Sequence, residues 1–162
     1  MDGVRLVLAP APVLRACKSA SHRLGTVIYC PTRVPPDWGT QLLICNDCNG
    51  TFSLTGSFPA PHGYIGPPGE VGSGHFTVWA ATSKFIREGY VGCADGRTIS
   101  RDEIAGRKTT WVVCPAASEL DGGHVLVEWS KDGWTYALSL HTNTATNRSL
   151  LRIMADHVIG VR

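Results

Sequence analysis

The stretch that decides the fold runs His124-Val125-Leu126-Val127-Glu128-Trp129-Ser130-Lys131-Asp132-Gly133-Trp134-Thr135-Tyr136-Ala137-Leu138-Ser139-Leu140. Both of its halves are rich in β-branched and aromatic residues, and the second half alternates with a period of two. The Asp132-Gly133 pair between them is typical of a tight hairpin turn. The sequence therefore predicts a two-stranded β-hairpin here.

A helix is predicted directly after this hairpin. Either Asn143 or Thr144 can serve as its N-cap, since both residue types accept hydrogen bonds from the first helical turn. One apolar face is predicted from residues at helical spacing: Leu150, Leu151, Ile153, Met154, His157 and Val158. Because hairpin and helix each have one apolar side, we expect the two to pack against each other.

The rest of the chain predicts one more helix and several strands. A helical pattern begins at Pro12 and ends at Gly25. Strands are predicted at 26–30, 41–45, 51–58, 75–80 and 107–114, and one helical turn at 82–88, whereas 97–105 has no clear pattern. We expect residues 1–162 to form a single α+β domain, with a mostly antiparallel sheet of about six or seven strands and an N-terminal and a C-terminal helix packed on it.

The segment 56–74 is rich in proline and glycine and predicts a long loop. Because loops often carry binding residues, we expect His62, Tyr64 and Ile65 at its centre to contact a ligand or partner. Trp38 and Trp134 border turns and are expected to be exposed and to contribute to binding. The strand tryptophans are expected in the core instead: Trp79, Trp111 and Trp129.

Six cysteines favour an oxidising compartment outside the cytoplasm: Cys17, Cys30, Cys45, Cys48, Cys93 and Cys114. Cys17 lies on the apolar face of the first helix, and Cys30 ends the next strand. We expect these two to form a disulfide, and we expect a second one between Cys93 and Cys114, which end two later strands. In the chain-entropy relation the bridges contribute about 3 and about 3.4 kcal/mol.

The pair Cys45 and Cys48 occupies a predicted hairpin tip. Redox catalysis is disfavoured there, because a reactive Cys-x-x-Cys motif needs a following helix and this motif precedes a β-pattern. A local disulfide or a pair of idle thiols is the simplest interpretation. The alternative is half of a structural zinc site, for which the sequence has no second Cys-x-x-Cys or His-x3-His motif.

An enzymatic alternative rests on the histidines. His75, His124 and His141 flank strands, and we expect them to gather at one sheet edge, where they could serve a metal-dependent or Cys/His hydrolase. The sequence has neither the Gly-x-Ser-x-Gly nucleophile motif nor a glycine-rich phosphate loop. We therefore expect no cofactor and no catalysis, and an unidentified protein or small molecule as partner.

Composition excludes several classes of function. Fifteen basic and thirteen acidic residues leave a formal charge of only +2, which predicts no nucleic-acid partner. No apolar run approaches the roughly 20 residues of a transmembrane helix. The apolar run 4–14 is interrupted by Pro10 and Pro12 and is not a signal peptide. An exposed sheet edge would allow a homo-oligomer.

The order of these signals resembles a known kind of domain. The first part of the pattern consists of Ala16-Cys17-x-Ser19, Leu24-Gly25-x-Val27, Pro31 and Val34-Pro35-x-x-Trp38. In the middle of the chain, Ile104-Ala105-Gly106 precedes a central strand. The last part consists of Trp129-x-x-Asp132-Gly133-x-x-Tyr136-x-Leu138-Ser139 followed by Leu150-Leu151-x-Ile153-Met154. Together they resemble uncharacterised extracytoplasmic domains of bacterial lipoproteins and of membrane-anchored anti-sigma or sporulation-type proteins. This resemblance implies a sensory or protein-contacting domain outside the membrane, without a cofactor.

Overall fold

The computed structural model describes residues 6–36, 38, 42–46, 50–59, 73–82, 93, 95–115 and 123–162, without the side chains of 42–46, 57–59 and 73–75. These residues form two helices and eleven strands: β1 (Val7–Leu8), α1 (Ala11–Leu24), β2 (Ile28–Pro31), β3 (Arg33–Val34), β4 (Leu42–Asn46), β5 (Thr51–Pro59), β6 (Ser73–Thr82), β7 (Arg97–Ile104), β8 (Arg107–Cys114), β9 (His124–Lys131), β10 (Trp134–His141), α2 (Ala145–Asp156) and β11 (Val158–Val161). The predicted helical turn at 82–88 lies largely outside them.

A seven-stranded antiparallel sheet dominates the described part of the chain. Its order is β4-β5-β6-β10-β9-β8-β7. The two halves, β4 to β6 and β7 to β10, are each built by strands consecutive in the chain, and β6 joins them by pairing with β10. Two short antiparallel ribbons, β1–β3 and β2–β11, accompany the sheet. The α+β class with a mostly antiparallel sheet is confirmed.

The hairpin predicted first is confirmed and occupies the middle of the sheet. β9 pairs with β10 from Lys131 opposite Trp134 to His124 opposite His141. The turn needs left-handed backbone at both central residues, and Asp132 and Gly133 have φ values of 52° and 79°. Both strands are interior, and apolar residues that point to opposite faces are buried on both, as Leu126 and Val127 are.

One face of the sheet packs against both helices, which confirms the predicted arrangement. α1 contacts β4 and β5 together with β2 and β11, and α2 contacts β7, β9 and β10. The side chains at the centre of this core are fully buried: Val13, Cys17, Ile28, Phe52, Leu54, Phe76, Val78, Val125, Val127, Leu138, Leu140, Leu151 and Met154. A smaller cluster on the opposite face contains Cys93, Val112, Cys114, Leu126 and Ala137, with Trp79 packed against it.

The start of α2 is locked to the end of β10. Thr144, rather than Asn143, is the N-cap, since its hydroxyl accepts from the Asn147 amide at 3.1 Å. The Asn147 side chain is only 1% exposed, and its Nδ2 donates to the His141 carbonyl at 2.7 Å and the Thr142 carbonyl at 2.9 Å. This side chain therefore joins helix and sheet.

Several details of the predictions were wrong. The apolar face of α2 is narrower than predicted, because Ile153 is 45% exposed and His157 is also exposed. Val158 does not extend the helix but begins β11, which pairs with β2. The segment without a clear pattern contains β7, an edge strand whose side chains are mostly exposed and therefore show no apolar alternation.

No helix in the described part of the chain has both the length and the apolar character that crossing a membrane requires.

Candidate functional site

A groove of about 600 Å³ lies where the C-terminal half of α1 meets the turn between β9 and β10. We call it the α1 groove. Its lining residues are Lys18, Ser21, His22, Gly25, Thr26, Val27, Asp132, Trp134 and Arg162. A volume of this size is typical of a small-molecule site.

The helix side of the α1 groove is shaped by the end of α1. Gly25, at φ 64°, ends the helix, and its amide donates to the Ser21 carbonyl. Ser21 also donates its hydroxyl to the Thr26 carbonyl at 2.5 Å, which closes the turn. Lys18 and His22 stand four residues apart, so both exposed side chains lie on the same side of the helix.

The sheet side of the groove is built by the hairpin and by β11. Trp134 is half-buried and packs against the main core beside the Asp132 turn. Tyr136, two residues further along β10, donates its hydroxyl to the Val27 carbonyl at 2.8 Å. Burial raises the pKa of Tyr136, so the phenol stays protonated and keeps this bond throughout the neutral range. Arg162 directly follows β11.

The aromatic cluster behind this wall is closely packed. The Tyr29 ring meets the rings of Tyr136 and Trp129 edge-on, with centroids 4.8 and 5.7 Å apart. The Arg107 guanidinium lies 5.3 Å from the centroid of the Trp129 ring and donates to the Ala155 carbonyl near the end of α2. These contacts connect the groove wall to α2 and to β2, the strand that pairs with β11.

Basic groups outnumber acidic groups in the groove. Within the described part of the chain, none of Lys18, His22 and Arg162 has an ion-pair partner, and Asp132 is the one acidic lining residue. The C-terminal end of α1 adds a partial negative charge. Against these stand the two cationic side chains of Lys18 and Arg162.

Of the predicted tryptophans, Trp134 lines the groove but Trp38 does not. The prediction that Trp38 is exposed was wrong, because the side chain is only 2% exposed. Its amide donates to the Pro35 carbonyl, and this turn directs the ring onto the core. The indole Nε1 donates to the Phe76 carbonyl at 3.1 Å, and the two rings lie 5.0 Å apart. As predicted, Trp111 and Trp129 are core residues, whereas Trp79 is half-buried.

The predicted loop residues His62, Tyr64 and Ile65 lie outside the residues that the structure describes. The same holds for Cys48 and for the Cys45 side chain, so the alternatives for that pair stay open.

Two predicted disulfides are confirmed. Cys17 and Cys30 are bridged with their Cα atoms 6.0 Å apart, which ties α1 to β2. Cys93 and Cys114 are bridged with Cα atoms 4.8 Å apart, at the end of β8. All four side chains are buried. The pairs are compatible with an oxidising location.

The three predicted histidines lie at one end of the sheet. His124 and His141 are directly opposed in β9 and β10, and their rings stack with centroids 4.9 Å apart. The backbone of His75 is the next position along β6 from Phe76, which pairs with Leu140, so it lies beside His141. As predicted, the three positions gather where their strands end, on three adjacent interior strands. The described residues contain no group of three or more His, Cys, Asp or Glu placed to hold a metal ion.

A second hollow of about 350 Å³ lies between the β7–β8 turn and the end of α2. Arg152, on its wall, forms an ion pair with the neighbouring Asp102. The hydrogen bond from Arg152 holds the pKa of Asp102 below its usual value. Because Arg152 and Asp102 already neutralise each other here, this hollow should attract a charged ligand less strongly than the α1 groove.

The sequence prediction identified Trp134 but missed the basic residues of the groove. The spacing of Lys18 and His22 could have indicated two basic residues on one exposed side of a predicted helix. No sequence pattern could have placed Arg162 beside them, because its position depends on β11, which was not predicted. Comparison adds no further residue, since no protein-family profile, curated protein or solved structure matches this chain.

Proposed function

We propose that this protein is a non-catalytic binding or sensor domain of an extracytoplasmic, oxidising compartment, and that it holds a small molecule in the α1 groove. The observation that carries the proposal is the groove itself, with a half-buried indole beside basic side chains that have no ion-pair partner among the described residues. A preformed concave site with a few polar groups around an apolar wall is the usual form of a ligand site. The two disulfides support the proposed location in an oxidising compartment.

The proposal keeps a role for the predicted loop. His62, Tyr64 and Ile65 are proposed to contact a partner protein, in line with the resemblance to sensory domains of membrane-anchored proteins. Substituting alanine for Tyr64 is then expected to weaken that contact while leaving the melting temperature nearly unchanged. A large drop in melting temperature would assign Tyr64 to the core instead.

The groove is tested with an unbiased fragment library observed by ligand NMR. Fragments that bind the wild type are expected to lose their signal with Trp134→Ala. They should keep it with Lys131→Ala, a matched change at an exposed residue of the same hairpin that does not line the groove. Hits that persist equally on Trp134→Ala would show that the groove is not the site. Chemical conversion of a fragment that requires the protein would contradict the non-catalytic proposal.

A second candidate function is a metal-dependent activity centred on His124 and His141, which lie side by side in β9 and β10. Imidazole nitrogens are common ligands of zinc and other transition metals. This candidate predicts near-stoichiometric metal in protein purified without added metal, and loss of that metal in His141→Ala. Metal-free protein that takes up no zinc on titration would eliminate it.

A further inference from the structure

We propose that the ligand of the α1 groove is an aromatic anion, a small planar ring that carries a carboxylate, sulfonate or phosphate group. This inference rests on the proposed function and names the ligand class of the same site. Three features of the groove support it: the charge of its rim, the indole on its wall and its size.

The charge selects an anion. Lys18 and Arg162 come from α1 and from the end of β11, and they meet at one groove together with His22. Because neither Lys18 nor Arg162 has an ion-pair partner in the described residues, their two charges are available to a ligand. A carboxylate or phosphate between them would gain charge-assisted hydrogen bonds, which are stronger than neutral ones.

Asp132 and the end of α1 oppose this effect, but only in part. The α1 carbonyl of Ser21 already accepts from the Gly25 and Thr26 amides, and the Thr26 carbonyl accepts from Ser21. One of the last four α1 carbonyls is therefore occupied by its own turn. Asp132 sits on the opposite side of the groove at the hairpin tip, and it is a single carboxylate facing the two cationic side chains of Lys18 and Arg162.

The indole selects an aromatic ring. Trp134 is half-buried, packs against the core and also lines the groove. The hairpin fixes its backbone, since Trp134 pairs with Lys131 on one side and with Thr82 on the other. A ring held this firmly is a suitable platform for offset or edge-on stacking of a second aromatic ring.

The size selects a small molecule. A groove of about 600 Å³ accommodates one or two fused rings with a charged substituent. Polar groups of Ser21 and Val27 are already engaged within the protein, so the basic side chains remain as the main polar contacts.

The test is a series of naphthalenes whose substituents are similar in size and differ in charge: 2-naphthoate, 2-naphthylmethanol and 2-naphthylmethylammonium. Each is titrated into ¹⁵N-labelled full-length protein, and the Trp134 indole N–H signal, assigned with Trp134→Phe, reports binding. We expect 2-naphthoate to bind at least tenfold more tightly than the alcohol, and the ammonium compound more weakly than both. The preference for the anion should decrease as salt is raised, because it is electrostatic.

The charge contribution is isolated with a pair of double variants. Lys18→Gln/Arg162→Gln is expected to weaken 2-naphthoate at least tenfold and to leave the alcohol nearly unchanged. Arg15→Gln/Arg23→Gln removes the same charge from exposed positions of α1 that do not line the groove, and it should change neither affinity by more than about twofold.

The outcomes separate the two proposals. If acid and alcohol bind equally at the Trp134 signal, the aromatic-anion inference is overturned while the groove remains a binding site. If no compound shifts the Trp134 signal, and the fragment library also gives no hit sensitive to Trp134→Ala, the groove is not a binding site and both proposals are overturned. Equal weakening by the two double variants would likewise refute a specific role for Lys18 and Arg162.

Discussion

Removing the Cys17–Cys30 bridge should destabilise the domain by an amount that follows from its loop. The two cysteines are 13 positions apart, so the bridge closes a loop of about 14 residues, worth about 3 kcal/mol in the chain-entropy relation. For a chain of this length each kcal/mol corresponds to about 2–4 °C in Tm. The double variant Cys17→Ala/Cys30→Ala is therefore expected to melt about 6–12 °C below the wild type.

Urea unfolding followed by tryptophan fluorescence measures this loss, with and without reductant. Alkylation before reduction, followed by intact mass, should show these four cysteines protected from the reagent: Cys17, Cys30, Cys93 and Cys114. Reductant also breaks the Cys93–Cys114 bridge in both proteins, so both should lose stability, and the difference between wild type and variant should shrink because neither reduced chain keeps the Cys17–Cys30 constraint. A difference under 1 kcal/mol without reductant, or one that reduction leaves unchanged, would refute the account based on loop closure.

Three further substitutions test individual contacts. Trp38→Phe removes the indole donor from the buried Phe76 carbonyl and should lower the free energy of unfolding, measured in urea, by about 1–3 kcal/mol. An unchanged free energy of unfolding would mean that water replaces the indole. Thr144→Ala removes the N-cap of α2 and should cost about 1 kcal/mol, largely restored by Thr144→Ser, and equal losses in both would argue against the cap. Arg152→Gln should raise the pKa of Asp102 towards its usual value, as followed by carboxyl ¹³C NMR. The pKa of Asp102 is lower in the folded than in the unfolded protein, so Asp102 stabilises the fold above the unfolded pKa of about 3.9, and this stabilisation is lost as the pH falls through the folded pKa. If Asp102 has the same pKa in Arg152→Gln as in the wild type, the ion pair with Arg152 has no effect on it.

The central architecture could be predicted because it depends on local patterns. The β9–β10 hairpin, α1, β5, β6 and β8 all have apolar alternation or helical spacing bounded by turn residues. The disulfides were predicted from the placement of their cysteines, with Cys17 on the apolar face of a helix and the other three at the ends of predicted strands. By contrast, β7 shows no pattern because it is an exposed edge, and its register shift between Thr98 and Ser100 further interrupts the alternation.

What could not be predicted depends on contacts between distant parts of the chain. The pairing of β6 with β10 and of β2 with β11 joins segments that no local signal relates. The basic pair of the α1 groove depends on β11, which brings Arg162 back to the helix that carries Lys18. Trp38 was misassigned for the same reason: its turn looked exposed locally, but the acceptor for its indole lies in β6.

The buried amide of Asn147 has a consequence for producing this protein in a eukaryotic secretory host. Asn147-Arg148-Ser149 matches the acceptor sequence for N-linked glycans. In the folded domain both Asn147 Nδ2 hydrogen bonds go to backbone carbonyls at the end of β10, and a glycan could not fit there. Glycosylation of the nascent chain at this position and closure of α2 onto the sheet therefore exclude each other. Secreted protein that carries a glycan on Asn147 would therefore be misfolded. Replacing the acceptor with Asn147→Asp would prevent glycosylation but would not preserve the contact between α2 and the sheet, because a carboxylate cannot donate hydrogen bonds to those carbonyls.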